Sequence, residues 1–512
     1  MQKALRLPRV NLFIADDVGL GKTIEAALIA RELLLRKKVQ DIVVACPPSM
    51  LIQWQEELED RFGMVFQILD KEYIARVRRE RGYGVNPWTT HSRFLVSHRL
   101  LIEEAYTATL RDWLGDFRPG SLLILDEAHH AAPSSGAKYA IDSKITRAVR
   151  DLAGRFEHRL FLSATPHNGH SNSFSALLEI LDPQRFCRGV PVGSKKILEA
   201  VMVRRLKEDL RAVAGGFPKR VVRQIDLSGL PAETPELQLS ILLDQYRKLR
   251  GERHKSESKR KQASAALLIS GLQQRLLSSV EAFARTLRVH RRTVQRQWDA
   301  AGAEKPLHDH HVAEPTLFAE GIDNDDDRAT LSEADLQAEE DAQIEAATLD
   351  TAPTRSESFA REKQLLDEIT EIAEAGRGLP DARVRTLVDW IRQNLCPDLP
   401  PLGTMKSQGS SARWNDNRVL IFTEYDDTKR YLQQQLIAAL DSTDRAGERI
   451  AIYHGPTPRA EREDIKRAFT ADPKKHPVRI LIATDAAREG LNLQTHCWNL
   501  FHFDVPWNPS RL

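Results

Sequence analysis

Asp16-Asp17-Val18-Gly19-Leu20-Gly21-Lys22-Thr23 decides how this 512-residue chain is organised. The apolar run over residues 10–15, broken only by Asn11, leads into it and reads as a buried strand. Residues 24–35 leave it as a helix, with Ile24, Leu28, Leu34 and Leu35 at helical spacing. Strand, tight glycine turn and helix N-terminus together make a cradle for a polyphosphate. Gly19 and Gly21 let backbone N–H groups close on the phosphates, and the helix dipole adds partial positive charge. In this reading Lys22 reaches the β- and γ-phosphates of ATP, and Thr23 sets its hydroxyl on Mg²⁺. The usual pattern, G-x-x-x-x-G-K-[ST], has glycine where this chain has Asp16. A plain glycine turn ahead of a helix is the alternative.

The next chemical stretch is Ser121-Leu122-Leu123-Ile124-Leu125-Asp126-Glu127-Ala128-His129. An apolar strand delivers two adjacent carboxylates at its C-terminal edge, where α/β sheets bind ligands. Asp126 is expected to hold Mg²⁺, and Glu127 to orient and deprotonate an attacking water. His129 either faces the γ-phosphate or couples to the next motif, Ser163-Ala164-Thr165-Pro166, which ends a strand over residues 158–162. Two further strands end in hydroxyl residues. Residues 41–46 lead through Pro47-Pro48 to Ser49, a phosphate donor or a plain helix cap, and residues 94–97 end in Ser97. Arg204-Arg205-Leu206-Lys207 reads equally as a phosphate contact or a solvated helix face.

Composition bounds the rest. At 58.0 kDa the chain is too long for one core, so two or three domains are expected. Net charge is only +2, which confines any nucleic-acid contact to local basic patches. The four cysteines are scattered with no Cys-x-x-Cys, and no apolar run approaches a membrane span. A core strand begins almost at once, so no signal peptide is expected and a cytoplasmic location is. Residues 231–380 differ in character. Between Arg247 and Arg296 stand fourteen Lys/Arg against three Glu, on amphipathic helices that either follow a nucleic-acid backbone or serve as an exposed connector. Residues 320–350 hold twelve Asp/Glu and one Arg, and are expected to be disordered. From residue 381 onward strands and helices alternate again: 418–424, 450–455, 479–485 and 500–504 read as strands of a second α/β lobe. Thr484 is placed to touch nucleic-acid phosphates. Asp485, Arg488, Glu489 and Gly490 are placed to face the cleft between lobes, with Arg488 and Gly490 contacting the nucleotide.

The expected architecture is therefore α/β: two RecA-like lobes with parallel sheets, residues 1–230 and 381–512, joined by a helical, partly disordered insertion. The order of motifs resembles the superfamily-two helicases. Asp-Asp-Val-Gly-Leu-Gly-Lys-Thr-Ile-Glu-Ala, Asp-Glu-Ala-His-His and Leu-Ser-Ala-Thr-Pro-His-Asn-Gly are similar to the Swi/Snf-type DNA translocases in their bacterial RapA-like branch, whose pattern includes the Asp at position 16. Residues 163–186 resemble the helicase-like component of DISARM phage-defence systems. The resemblance implies ATP-dependent movement along double-stranded DNA without necessary strand separation. In the defence setting it also implies methyltransferase or nuclease partners; in the RapA-like setting, remodelling of RNA polymerase or another protein–DNA complex. It implies truncation as well. The family has an adenine-contacting Gln in a longer upstream segment, to which Gln2 stands too close to be matched. It also continues from Trp507-Asn508-Pro509 into Gln-x-x-Gly-Arg-x-x-Arg, the source of its arginine fingers. A fragment or one half of a split gene is thus expected, and a nucleic-acid-binding module without turnover is the reading from another class.

Overall fold

The computed structural model describes residues 1–133, 142–166, 171–214, 218–227, 229–254, 259–302, 358–403, 412–454, 457, 459–484 and 493–504, with a few positions between 338 and 348. The chain divides into two units, Met1–Val222 and Arg223–Leu512.

The first unit is built on a parallel sheet of seven strands in the order β3-β4-β2-β5-β6-β1-β7. They are β1 (Asn11–Ile14), β2 (Asp41–Cys46), β3 (Gln67–Ile68), β4 (Arg93–Ser97), β5 (Arg118–Leu125), β6 (Phe156–Leu162) and β7 (Met202–Val203). Their apolar residues alternate between two cores because side chains alternate across a strand. Leu12, Ile14, Ile42, Val44, Leu122, Ile124, Leu160 and Leu162 fill one face. Phe13, Val43, Ala45, Leu123, Leu125 and Phe161 fill the other. A parallel sheet covered on both sides needs such continuous apolar strands, which is why these runs are legible in the sequence. Each fully buried Leu, Ile or Phe contributes about 1.5–3 kcal/mol. Residues 22–35 form the helix after the phosphate loop, two residues longer at its start than the apolar spacing indicates.

The topology places the chemistry. β6 lies between β1 and β5, pairing Leu160 with Leu12 and Leu122 with His158. Ser163, at the end of β6, is thus held between the phosphate loop after β1 and the carboxylates after β5.

In the second unit, β8 (Val419–Phe422), β9 (Ile450–Tyr453), β10 (Ile480–Ala483) and β11 (Asn499–His502) form a parallel sheet in the order β11-β8-β10-β9. The long helical pattern of residues 266–287 is two helices, Lys259–Ser278 and Val280–Gly302, broken at Ser279. With Pro235–His254 and Ser358–Gly376 they enclose a separate core around Leu239, Tyr246, Leu272, Phe283 and Leu366. This bundle is fastened to the second sheet by polar side chains. Asp427 is paired with Arg275, Arg285 and Arg430, while Ser278 and Thr423 both donate to Asp504 at the end of β11.

Two expectations for the middle segment change. Most of residues 320–350 lies outside the described residues, but Ile344 and Thr348 are helical and buried. They are ordered by the Val280–Gly302 helix, where His290 pairs with Thr348 at 2.9 Å and Arg296 with Glu345 at 2.7 Å. The basic excess is also partly matched across helices. Arg291 meets Asp367 at 2.6 Å and Arg288 meets Glu374, both acceptors on the Ser358–Gly376 helix. The charge counted along one stretch therefore overstates the charge shown to solvent.

Candidate nucleotide-binding site

The phosphate loop has the backbone its glycines permit. Gly19 and Gly21 have φ of +76° and +82°, in the left-handed region that side chains avoid. Gly21 caps the Lys22–Leu35 helix, leaving the first-turn N–H groups at the loop free for an anion. The Lys22 ammonium donates to the Asp16 carbonyl at 3.1 Å. Lys207 enters the same space, its Nζ 3.7 Å from where a Cβ on Gly19 would lie. The Arg204–Lys207 stretch is thus no solvated helix face: Arg205 pairs with Asp16, and the Lys207 N–H bonds Asp17 Oδ2 at 3.3 Å.

Asp126, at the end of β5, is 4% exposed. Its Oδ2 accepts the Trp54 indole N–H at 2.8 Å and its Oδ1 accepts the Glu127 N–H at 2.9 Å. Burial, and then the Glu127 charge, push its carboxyl up to about 7, against the Trp54 hydrogen bond, the Glu127 N–H and the Lys22 charge. A buried carboxylate short of positive charge, beside a loop that offers the Thr23 hydroxyl, fits Mg²⁺: both donors are hard oxygens, and that ion keeps most of its shell for water and phosphate. Among the described residues no group of three or more His, Cys, Asp or Glu side chains is placed to hold a metal ion. Sequence reading missed Trp54. Its spacing in the Leu51–Glu56 helix marks only a core residue, and nothing local shows that its N–H ends on a carboxylate 72 positions away.

Glu127 has φ +42°, a conformation that costs a non-glycine residue about 1–2 kcal/mol. At this turn its carboxylate Oε2 lies 3.2 Å from His129 Nδ1. The same His129 nitrogen lies 3.0 Å from Ser163 Oγ, which also accepts the Thr165 N–H at 3.1 Å. His129 is thereby coupled to the strand-end serine.

The hydroxyl residues expected at nucleic acid are placed as follows. Ser49 lies in a short 3-10 turn, Pro48–Met50, and its buried hydroxyl has no hydrogen-bond partner among the described residues. Ser97 Oγ accepts the Leu100 N–H at 3.2 Å. Thr484 follows β10, largely buried, its N–H bonded to the Tyr453 carbonyl at 3.2 Å. Arg488 and Gly490 lie outside the described residues, as do Asp485 and Glu489.

Behind the site, His98 is buried with Nε2 3.2 Å from the Ala45 carbonyl. Burial and the nearby His130 push its imidazole down to about 3. The unfolded chain takes up that proton near pH 6.5 and the folded chain does not, so the stability is present above pH 6.5 and lost as pH falls. At about 1.36 kcal/mol per pH unit, the wild type should lose ~2 kcal/mol more between pH 7.5 and pH 5 than His98→Gln does. Urea unfolding of both proteins at the two pH values measures this; equal losses would show that His98 is not held neutral.

Two domain families match parts of this chain. The SNF2-related domain matches residues 4–190 and the helicase conserved C-terminal domain matches residues 411–512. The RNA polymerase-associated protein RapA of Haemophilus influenzae (strain PittEE) is 34% identical over 189 residues, which is 35% of this chain and only 18% of RapA. The uncharacterized ATP-dependent helicase YqhH of Bacillus subtilis (strain 168) is 24% identical over 526 residues, covering 100% of this chain and 70% of YqhH. Among solved structures, the Pyrococcus furiosus Hef helicase domain aligns with 98% of this chain and 88% of its own, at 15% identity and a TM-score of 0.47. Together the domain matches and relatives support a superfamily-two helicase core of Swi/Snf type. Among the described residues no helix is long and apolar enough to cross a membrane.

Proposed function

We propose that this chain is the ATP-driven motor core of a DNA translocase. The observation that carries the reading is the meeting, at the C-terminal ends of β1, β5 and β6, of the Lys22–Thr23 loop, the Asp126–Glu127 pair and the His129–Ser163 link. Lys22 balances charge on the β- and γ-phosphates. Thr23 and Asp126 would hold Mg²⁺, which would supply Lewis-acid stabilisation of the phosphate oxygens. Glu127 accepts the proton of the water that attacks the γ-phosphate in line, and His129 keeps that carboxylate in place. Arg488 and Gly490 are proposed as further contacts to the nucleotide. The test is ATP hydrolysis with and without duplex DNA, single-stranded DNA and RNA; stimulation by RNA alone, or no hydrolysis under any condition, would overturn the reading.

Ser49, Ser97 and Thr484 are the proposed contacts to the DNA backbone, supported by the Ser49 hydroxyl, which has no hydrogen-bond partner among the described residues, in the turn after β2. Lys and Arg side chains that neutralise phosphates, such as those of the basic stretch between Arg247 and Arg296, release counterions, so log K should fall linearly with log salt, by ~0.9 per phosphate neutralised. Fluorescence anisotropy of unrelated duplexes between low and physiological salt measures it. A flat dependence, or a strong preference for one duplex, counts against a tracking motor.

The similarity to RapA over 35% of this chain favours a second reading, an ATPase that remodels a polymerase–DNA complex. Strong stimulation by naked DNA argues against it. A phage-defence role rests on the resemblance of residues 163–186 alone, and neighbouring methyltransferase or nuclease genes would support it.

A further inference from the structure

We propose that Arg205 is a positioning residue for phosphate binding, acting on Lys22 through Asp16; this rests on the ATP reading above. Asp16 stands where the usual loop has glycine, and its side chain is fully buried. Arg205 satisfies both of its oxygens. Oδ1 accepts the Arg205 backbone N–H at 2.8 Å, and Oδ2 accepts Nε–H at 2.8 Å as well as Nη2. A buried carboxylate is stable only with such donors, and the planar guanidinium matches it prong for prong.

The same guanidinium reaches Glu25, on the helix that follows the loop, whose other oxygen takes the Met1 amine at 2.8 Å. One side chain thus joins the first residue of the loop to the helix after it. Main-chain bonds extend the grip: Ala15 N–H to the Val203 carbonyl at 2.7 Å and Asp17 N–H to the Arg205 carbonyl at 3.0 Å. What the clasp positions is the carbonyl of Asp16, the group on which the Lys22 ammonium rests at 3.1 Å. Releasing Asp16 lets that carbonyl turn, and the ammonium loses its fixed place relative to the phosphates. A loop that begins with glycine has no side chain to clasp; in this chain a tether from 189 positions away takes its place.

The test is a double-mutant cycle read as affinity for a fluorescent ATP analogue, with folding confirmed for each protein by circular dichroism. Arg205→Ala should weaken binding roughly tenfold, the size of one lost charge-assisted hydrogen bond. Arg205→Lys, which keeps the charge but not the fork, should fall between it and the wild type. In an Asp16→Gly background the Arg205→Ala change should cost less than about twofold, because the carboxylate that needs it is gone. That pair also leaves no unpaired buried charge, so it folds even where Arg205→Ala alone does not; Arg205→Lys then supplies the other side of the cycle. Equal losses in the two backgrounds would assign Arg205 a general structural role and overturn the proposal. If the wild type binds the analogue, Lys22→Ala does not, and the cycle shows no coupling, the Arg205 proposal alone fails. If the wild type does not bind it, the ATP reading fails and takes this proposal with it.

Discussion

Glu127→Gln is expected to bind ATP as the wild type does and to hydrolyse it at least ~10²-fold more slowly, the usual size of a lost general base. The substitution changes one atom and keeps the shape, which matters at this position. Glu127 sits at φ +42°, and the turn is supported by its N–H to Asp126 Oδ1 at 2.9 Å. A bulky or β-branched replacement would disturb that turn and the neighbouring Asp126 with it. Glutamine preserves the turn, can still contact His129, and removes only the capacity to take a proton. Single-turnover hydrolysis with duplex DNA present separates the chemical step from nucleotide release. A wild-type single-turnover rate would exclude Glu127 as the base and redirect attention to how the water is oriented.

The residues of this prediction were legible in the sequence because the signals are local. An apolar strand ending in two acids, or in a glycine turn with Gly-Lys-Thr, leaves few other folds open. β2 spans the apolar run over residues 41–46 that the sequence marks, bounded by polar or turn-forming neighbours. What escaped is non-local or too short to carry a period. β3 and β7 have two residues each and no alternation to read. Yet β7 leads into the Arg205–Lys207 stretch that holds the phosphate loop, through contacts between residues some 189 positions apart. The Arg-Arg-Leu-Lys pattern looks like a surface cluster because its partner, Asp16, is visible only once β7 pairs with β1. The same limit explains the middle segment. Charge counted along residues 247–296 takes no account of Asp367 and Glu374, which face those arginines from another helix. Composition likewise pointed to disorder around residue 344, where tertiary contact with His290 and Arg296 orders a buried turn.

Lys22→Ala is expected to lower affinity for ATP by ~10² to 10⁴, because a hydrogen bond to a charged group is worth about 1.5–3 kcal/mol and the ammonium serves two phosphates. The loss should be specific to phosphate binding. Lys22 is the first residue of a helix whose buried face is Ala26, Ala27, Ile29, Ala30 and Leu33, so alanine there leaves the packing intact and is itself a good helix former. The bond that is lost, Nζ to the Asp16 carbonyl at 3.1 Å, frees an acceptor at the loop surface that water can satisfy. Thermal unfolding without nucleotide should therefore change little, while the stabilisation that ATP and Mg²⁺ give the wild type should disappear. The Lys22 charge also helps hold Asp126 ionised, so its removal weakens the metal site as well as the phosphate site. Titration of a fluorescent ATP analogue into both proteins, with and without Mg²⁺, distinguishes the two contributions. In the metal-free titration only the lost phosphate contact remains. Affinities equal to wild type there would remove the phosphate-loop assignment and would leave Asp16–Arg205 as a structural pair with no nucleotide to serve.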